Sequence, residues 1–194
     1  MANTSATGGY LAPVAPTPPT QDQQLDRLLQ AYLKGLTGID GQYVRPRWQP
    51  TVPKQPEQNV DWVAFGVMET LSEDFPTIRH NGTGDGSGTL QRQQELRVLC
   101  SFYGPNSMQY ADMARDGAYV QQNNETLKRA GLTLIESGPL RQAADFYNQQ
   151  WIRRWDLSFR FRRMIVRTYP VLNILEAQGD IEADNGLTNS INVP

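Results

Sequence analysis

From residue 151 to residue 161 the chain alternates: Trp151, Arg153, Trp155, Leu157, Phe159 and Phe161 occupy odd positions, and after Ile152 the even ones are Arg154, Asp156, Ser158 and Arg160. Successive side chains of an extended strand point to opposite faces, so this stretch reads as a strand with one apolar and one polar face. The alternation breaks at Arg162 and Arg163. Met164 and Val166 then bring apolar residues onto even positions, which a β-bulge would explain by resetting the register. Continued to Tyr169, the strand would be about 60 Å long at ~3.3 Å per residue, against about 40 Å for the width of a compact domain of this size. It must bend sharply or project. A projecting edge with a half-apolar face is a liability that pairing with a neighbouring subunit removes.

The rest of the chain supplies partners for that strand. Leu25, Leu28, Leu29, Tyr32, Leu33 and Leu36 follow helical spacing, with Thr20 or Asp22 as the cap and Gly35 or Gly38 near the end. Residues 43–48 are short and extended, and the three prolines within residues 49–58 restrict that stretch to a loop or sheet edge. Residues 61–71 read as a strand whose apolar residues Trp62, Ala64, Val67 and Met68 mix both parities, as burial on both faces or a bend at Gly66 would require. The GTGDGSG stretch (82–88) reads as a mobile hairpin tip joining that strand to a second over residues 89–103. Pro105 is placed to open a helix running through Met108, Ala111, Met113, Ala114 and Ala118. A short helix follows, capped by Asn123 or Asn124, carrying Leu127 and Ala130 and stopped at Gly131, and residues 132–137 form a strand. The fold class is therefore mixed α/β (α+β), a mostly antiparallel sheet of long strands flanked by helices.

At 194 residues the chain has room for one ordinary domain. The first 20 residues, rich in Thr, Pro, Ala and Gly, and those from Glu176 onward contain little that could form a core. The expected organisation is a flexible arm over 1–20, a single domain over 21–175, and an acidic extended tail over 176–194. No run of 18 apolar residues exists to span a membrane, and the N-terminus has neither the basic start nor the apolar middle of an export signal, so the chain is expected to stay in the cytoplasm.

The net charge of −2 gives no support to a general positive field for holding nucleic acid. Its distribution is uneven: seven of the 18 basic residues lie between Arg141 and Arg167, whereas the tail carries Glu176, Asp180, Glu182 and Asp184 with no Lys or Arg. Arg154, Arg160 and Arg162 would suit a nucleic-acid face, but the aromatic residues there fall on the opposite parity, so charge and stacking do not coincide. Solvated charge or salt bridges between subunits is the reading preferred. Chemistry is sparse. Cys100 lies in an apolar run and reads as a small buried hydrophobe. His80, the sole histidine, has no second His or Cys nearby for a zinc set and reads as a surface loop residue. Asp61, Glu69, Glu73, Asp74 and Glu95 lie on or near one hairpin and could hold magnesium, yet solvated turn residues explain them as well. No catalytic, metal or cofactor residue is assigned.

Several blocks in order, VRPRWQP (44–50) with PKQP (53–56), DWVAFGV (61–67), LCSFYGPN (99–106), NQQWIRRWDL (148–157) and RTYPVLN (167–173), resemble the neck or tail terminator proteins of tailed bacteriophages. The resemblance covers about residues 21–175. It implies a structural, non-enzymatic virion protein, assembled in the host cytoplasm, that forms a homohexameric ring. The ring would end the tail tube and join it to the head-tail connector or adaptor below the portal, with genomic DNA passing through the lumen. The partners implied are the chain itself, the tail tube protein, the connector and the tail sheath; no cofactor or membrane is involved. Arg153, Arg154, Arg160, Arg162 and Arg163 are the candidate subunit-interface or lumen residues, and the acidic tail is expected against the arginine-bearing strand of a neighbour. The rival readings are another head-tail completion protein and, from a different class, a small DNA-binding protein.

Overall fold

The computed structural model describes residues 3–14, 20–51, 53–147, 149–174, 177–182 and 188–193. Parts of both expected arms, residues 1–2, 15–19, 176, 183–187 and 194, lie outside the described residues, as do Val52, Asn148 and Leu175. In chain order the elements are α1 (Asp22–Thr37), β1 (Val44–Pro46), β2 (Trp62–Ser72), β3 (Thr77–Asn81), β4 (Ser87–Tyr103), α2 (Ser107–Gly117), α3 (Glu125–Arg129), β5 (Thr133–Ser137), β6 (Arg141–Gln142), β7 (Asp145–Tyr147), β8 (Gln150–Ile152), β9 (Arg154–Tyr169), β10 (Ala177–Glu182) and β11 (Thr188–Val193). The chain is mixed α/β with mostly sheet. It divides into two compact units, residues 17–76 with 92–165, and residues 1–16 with 77–91 and 166–194.

In the larger unit the strands run in the order β1-β2-β4-β9-β5, with β6 also on β9. β2 pairs antiparallel with β4, and β5 and β6 antiparallel with β9, whereas β1 lies parallel to β2. One face of this sheet is the core: Val63 and Phe65 from β2, Leu96, Val98, Cys100 and Phe102 from β4, and Leu157, Phe159 and Phe161 from β9 are all buried. α1 covers it with Leu25, Leu29, Leu33 and Leu36, and the Tyr32 ring meets Phe159 and Phe161 edge-on at 6.3 and 6.1 Å. Each large aromatic buried this way contributes on the order of 2–3 kcal/mol. The helix ends as its glycine spacing predicts, on Gly38 in the left-handed conformation, with its N–H on the Lys34 carbonyl. Its N-cap is Gln21, without a side-chain hydrogen bond, rather than Thr20 or Asp22. In α2 the small residues Ala111 and Ala114, and Ala118 just past its end, are buried, whereas Met108 and Met113 face out. Close approach of the helix backbone fills that space.

Three expectations are corrected by pairing. The mixed parity of β2 arises from a register shift between Val67 and Glu69, with Met68 as the extra residue, and not from a bend at Gly66. Trp62 and Ala64 before it, and Glu69 and Leu71 after it, consequently share the face away from the core. The inward parity of β9 does not reset at Arg162 and Arg163: its odd face continues through Arg163 and Ile165, both buried. The register shift lies instead on the partner strand β5, between Leu134 and Glu136. Nor is β9 an edge along the larger unit, since β4 flanks it on one side and β5 and β6 on the other. The alternation also stops short of residue 151, because Trp151 is exposed and Ile152 is buried, and β8 ends before Arg153.

In the smaller unit, β3 pairs with the start of β4, so the glycine tip closes a β3–β4 hairpin and not one between β2 and β4. His80 is a strand residue there, its Nε2 2.8 Å from Asn173 Oδ1. Asn173 Nδ2 donates to the carbonyls of Gly82 and Gly84, and its N–H donates to that of Asp85. At Gly86, with φ +92°, a Cβ would lie 2.6 Å from the Asn173 backbone nitrogen, so only glycine permits this fastening. Val14 bridges to Thr168, and β10 pairs with β11 within the C-terminal stretch read as an arm.

Candidate functional site

The sheet face opposite the core carries charged residues of both signs on β2, β4, β5 and β9. Because the register brings residue types of opposite sign side by side, its arginines are paired across strands. Arg160 Nη2 lies 2.7 Å from Glu95 on β4 and its Nη1 3.0 Å from Glu136 on β5. Arg162 approaches the other oxygen of Glu95 at 3.9 Å, and Arg97 approaches Glu69 at 3.7 Å. These pairs are exposed, and each adds little to stability.

A tighter network lies at the other end of this face. Arg154 grips Asp156 with two hydrogen bonds, Nε to Oδ1 at 2.8 Å and Nη2 to Oδ2 at 2.7 Å, while its Nη1 reaches Asp145 at 3.0 Å. Ser101 donates to Asp156 Oδ1 at 2.5 Å and accepts from Arg47 Nη2 at 2.5 Å. Burial pushes the Asp156 carboxyl up, but the bonds from Arg154 and Ser101 and the charges of Arg154 and Arg47 outweigh it and hold the group below its ordinary value. The Arg154 guanidinium sits 5.8 Å from the Tyr103 ring centroid, and Trp62, paired with Tyr103 across β2 and β4, stacks on it at 4.2 Å with the rings nearly parallel.

Of the five arginines singled out from sequence, Arg154, Arg160 and Arg162 are together on this face. Arg153 is exposed in the break between β8 and β9 and makes no ion pair among the described residues. Arg163 points the other way, into the larger unit. Its Nε donates to Gln94 Oε1 at 2.7 Å and its Nη1 to the Thr20 carbonyl at 2.5 Å, and burial lowers its pKa. Neutral acceptors thus satisfy a buried cation, which closes the end of the core next to the start of α1. Four of the five acids weighed as magnesium ligands are dispersed into structural bonds. Asp61 accepts from the Asn106 N–H and side chain, Glu73 from the Gln93 N–H, and Glu69 and Glu95 pair with arginines. Among the described residues no three His, Cys, Asp or Glu side chains converge as metal ligands, and no helix is long and apolar enough to cross a membrane. Cys100 is buried, and burial pushes its thiol up, away from the reactive thiolate.

Arg47, Ser101 and Glu136 went unremarked in the sequence, and Glu95 was weighed only as a metal ligand, because cross-strand partners become visible only once register is known. The Arg-Trp-Asp order at 154–156 was the available signal for an arginine and an acid two residues apart on one strand face.

No curated protein matches the chain. The family described as phage neck terminator protein matches residues 23–185, which include α1, the whole sheet of the larger unit and the paired arginine face. With that match over most of its length, the chain belongs to the phage neck terminator protein family.

Proposed function

We propose that the protein is a structural, non-enzymatic subunit of the phage virion, and that copies of it, six in the form implied by the resemblance, close into a ring at the neck. The ring ends the tail tube and joins it to the connector below the portal, and the genome passes through its lumen. Family membership supports the neck location. The observation that carries the mechanism is the pairing of Arg154, Arg160 and Arg162 with carboxylates of their own chain. A DNA-holding surface presents uncompensated cations that displace counterions from phosphates. Paired arginines leave a nearly neutral wall past which a polyanion can move. The same pairing satisfies locally the charges that the acidic tail of a neighbour was expected to meet, leaving Arg153 as the cation of the five best placed to receive it.

The test is the solution mass of the purified protein by light scattering, alone and with tail tube protein. A hexamer, spontaneous or induced, is the expected result. A monomer under both conditions that binds duplex DNA with a steep salt dependence would replace this reading with that of a DNA-binding protein.

A further inference from the structure

A groove of about 530 Å³ opens in the larger unit beside the Arg154 network. Pro46, Trp48, Trp62, Tyr103, Phe146 and Ile152 line it. Its rim is unusually apolar for a surface: Trp48 is 72% exposed, Phe146 62%, and Trp151, which packs on Phe146 at 5.0 Å, 73%. Its floor is held firm by the Trp62–Tyr103 stack and by Arg154 beside Tyr103. The two charged lining residues are already engaged, Arg45 with the carbonyls of Gln42 and Lys54, and Asp145 with Arg154. Trp48 and Trp62 add indole N–H donors and Tyr103 a hydroxyl to the groove wall. A trough walled by aromatic rings and prolines, its two charged residues already bonded and indole donors at its surface, has the chemistry that receives an extended proline-rich segment: rings pack against pyrrolidines, and indole N–H groups reach the carbonyls of a backbone that makes no internal hydrogen bonds.

The chain carries such a segment. Pro13, Pro16 and Pro19 recur every third residue, with Pro18 between, and no Lys, Arg, Asp or Glu occurs among residues 1–21. A polyproline II helix turns once every three residues, so these three prolines would line one edge of it over about 20 Å.

We propose that the groove is the docking site for the proline-rich stretch 13–19 of a neighbouring copy of the chain. This rests on the ring reading above and deepens it. The donor and acceptor surfaces differ, so the contact is heterologous, the type that repeats around a ring. It also supplies a contact that β9, flanked on both sides, does not offer through its edge.

The test uses a fluorescently labelled peptide of residues 11–21 titrated into the full-length protein and followed by anisotropy. Saturable binding is expected, weakened about tenfold or more by Trp48→Ala and by serine in place of Pro13, Pro16 and Pro19 in the peptide. Because Trp48 is exposed, its loss should leave the thermal melt unchanged, and Phe146→Ala provides a second groove variant. Binding that ignores both groove substitutions, or that the serine peptide matches, overturns the proposal. Light scattering of the full-length Trp48→Ala and triple-serine variants separates it from the ring reading. If the wild type forms a ring and both variants do so with unchanged dissociation, the docking site is wrong and the ring stands. If the wild type stays monomeric while the peptide binds in a Trp48-dependent way, the ring falls and the groove assignment holds.

Discussion

Asp156 has side-chain bonds from Arg154 and Ser101, so its removal leaves a guanidinium and a hydroxyl without their acceptor. Asp156→Asn is expected to cost about 2 kcal/mol near neutral pH, measured by denaturant unfolding. The pH dependence has a definite sign. The folded carboxyl titrates below its ordinary value of 3.8, so its contribution is complete above that value and is lost as pH falls through it toward the lower folded value. The Asn variant should therefore lose less stability than the wild type on acidification below about pH 4, a range set by the unfolded carboxylate. An identical acid slope in the two proteins would assign the sensitivity to another carboxylate. Gly104 is a second residue whose role is local. Its φ is +112°, and a Cβ there would collide with Asp61, which holds the Asn106 N–H at the start of α2. Gly104→Ala should destabilise by about 2 kcal/mol or more, read from the thermal midpoint. The chain itself gave notice of this turn through the Gly-Pro-Asn sequence, but the close approach to Asp61, 43 positions upstream, had no local signature.

Among the elements, α1 was legible nearly residue by residue, because a stripe at helical spacing depends only on the helix's own geometry. Leu29, the most deeply buried residue of that stripe together with Leu33, should cost about 3 kcal/mol as Leu29→Ala in equilibrium unfolding. Strand β9 was legible in type but not in register. Arg163 occupies an inward position that a polarity pattern assigns to solvent, and only the Gln94 side chain and the Thr20 carbonyl explain how it remains there. Met68 likewise shows no mark in the sequence of being the extra residue of β2, since a bulge is a property of two strands. The paired face of β4, β9 and β5 makes its own prediction. Replacing Glu95 and Glu136 by Gln frees Arg160 and relieves Arg162 of its partner. The double variant should acquire an affinity for duplex DNA that falls steeply with added salt, whereas the wild type should show little. Equal DNA affinity in the two proteins would mean that carboxylate pairing does not keep this face from holding phosphates.

For the molecule as a whole, assembly is the property to measure, and deletion of residues 176–194 belongs with it. The arginines of the sheet face already have carboxylates of their own, so the truncated chain should assemble with little change in salt sensitivity, as read by light scattering at low and high ionic strength. A large change would show that the acidic stretch carries charge contacts between copies. The amino-acid order by itself determined the class of fold, the long alternating strand, the covering helix and the sparse chemistry. Each of these follows from local periodicity or from the residue types present, which require no knowledge of what lies across the sheet. Only the tertiary structure decided that β9 is a flanked strand, that three arginines are neutralised and a fourth buried, that Asn173 fastens the glycine tip, and that Trp48, Trp62, Tyr103 and Phe146 meet around one groove. Those outcomes depend on register and on side chains brought together from distant positions, and pairing between strands sets both.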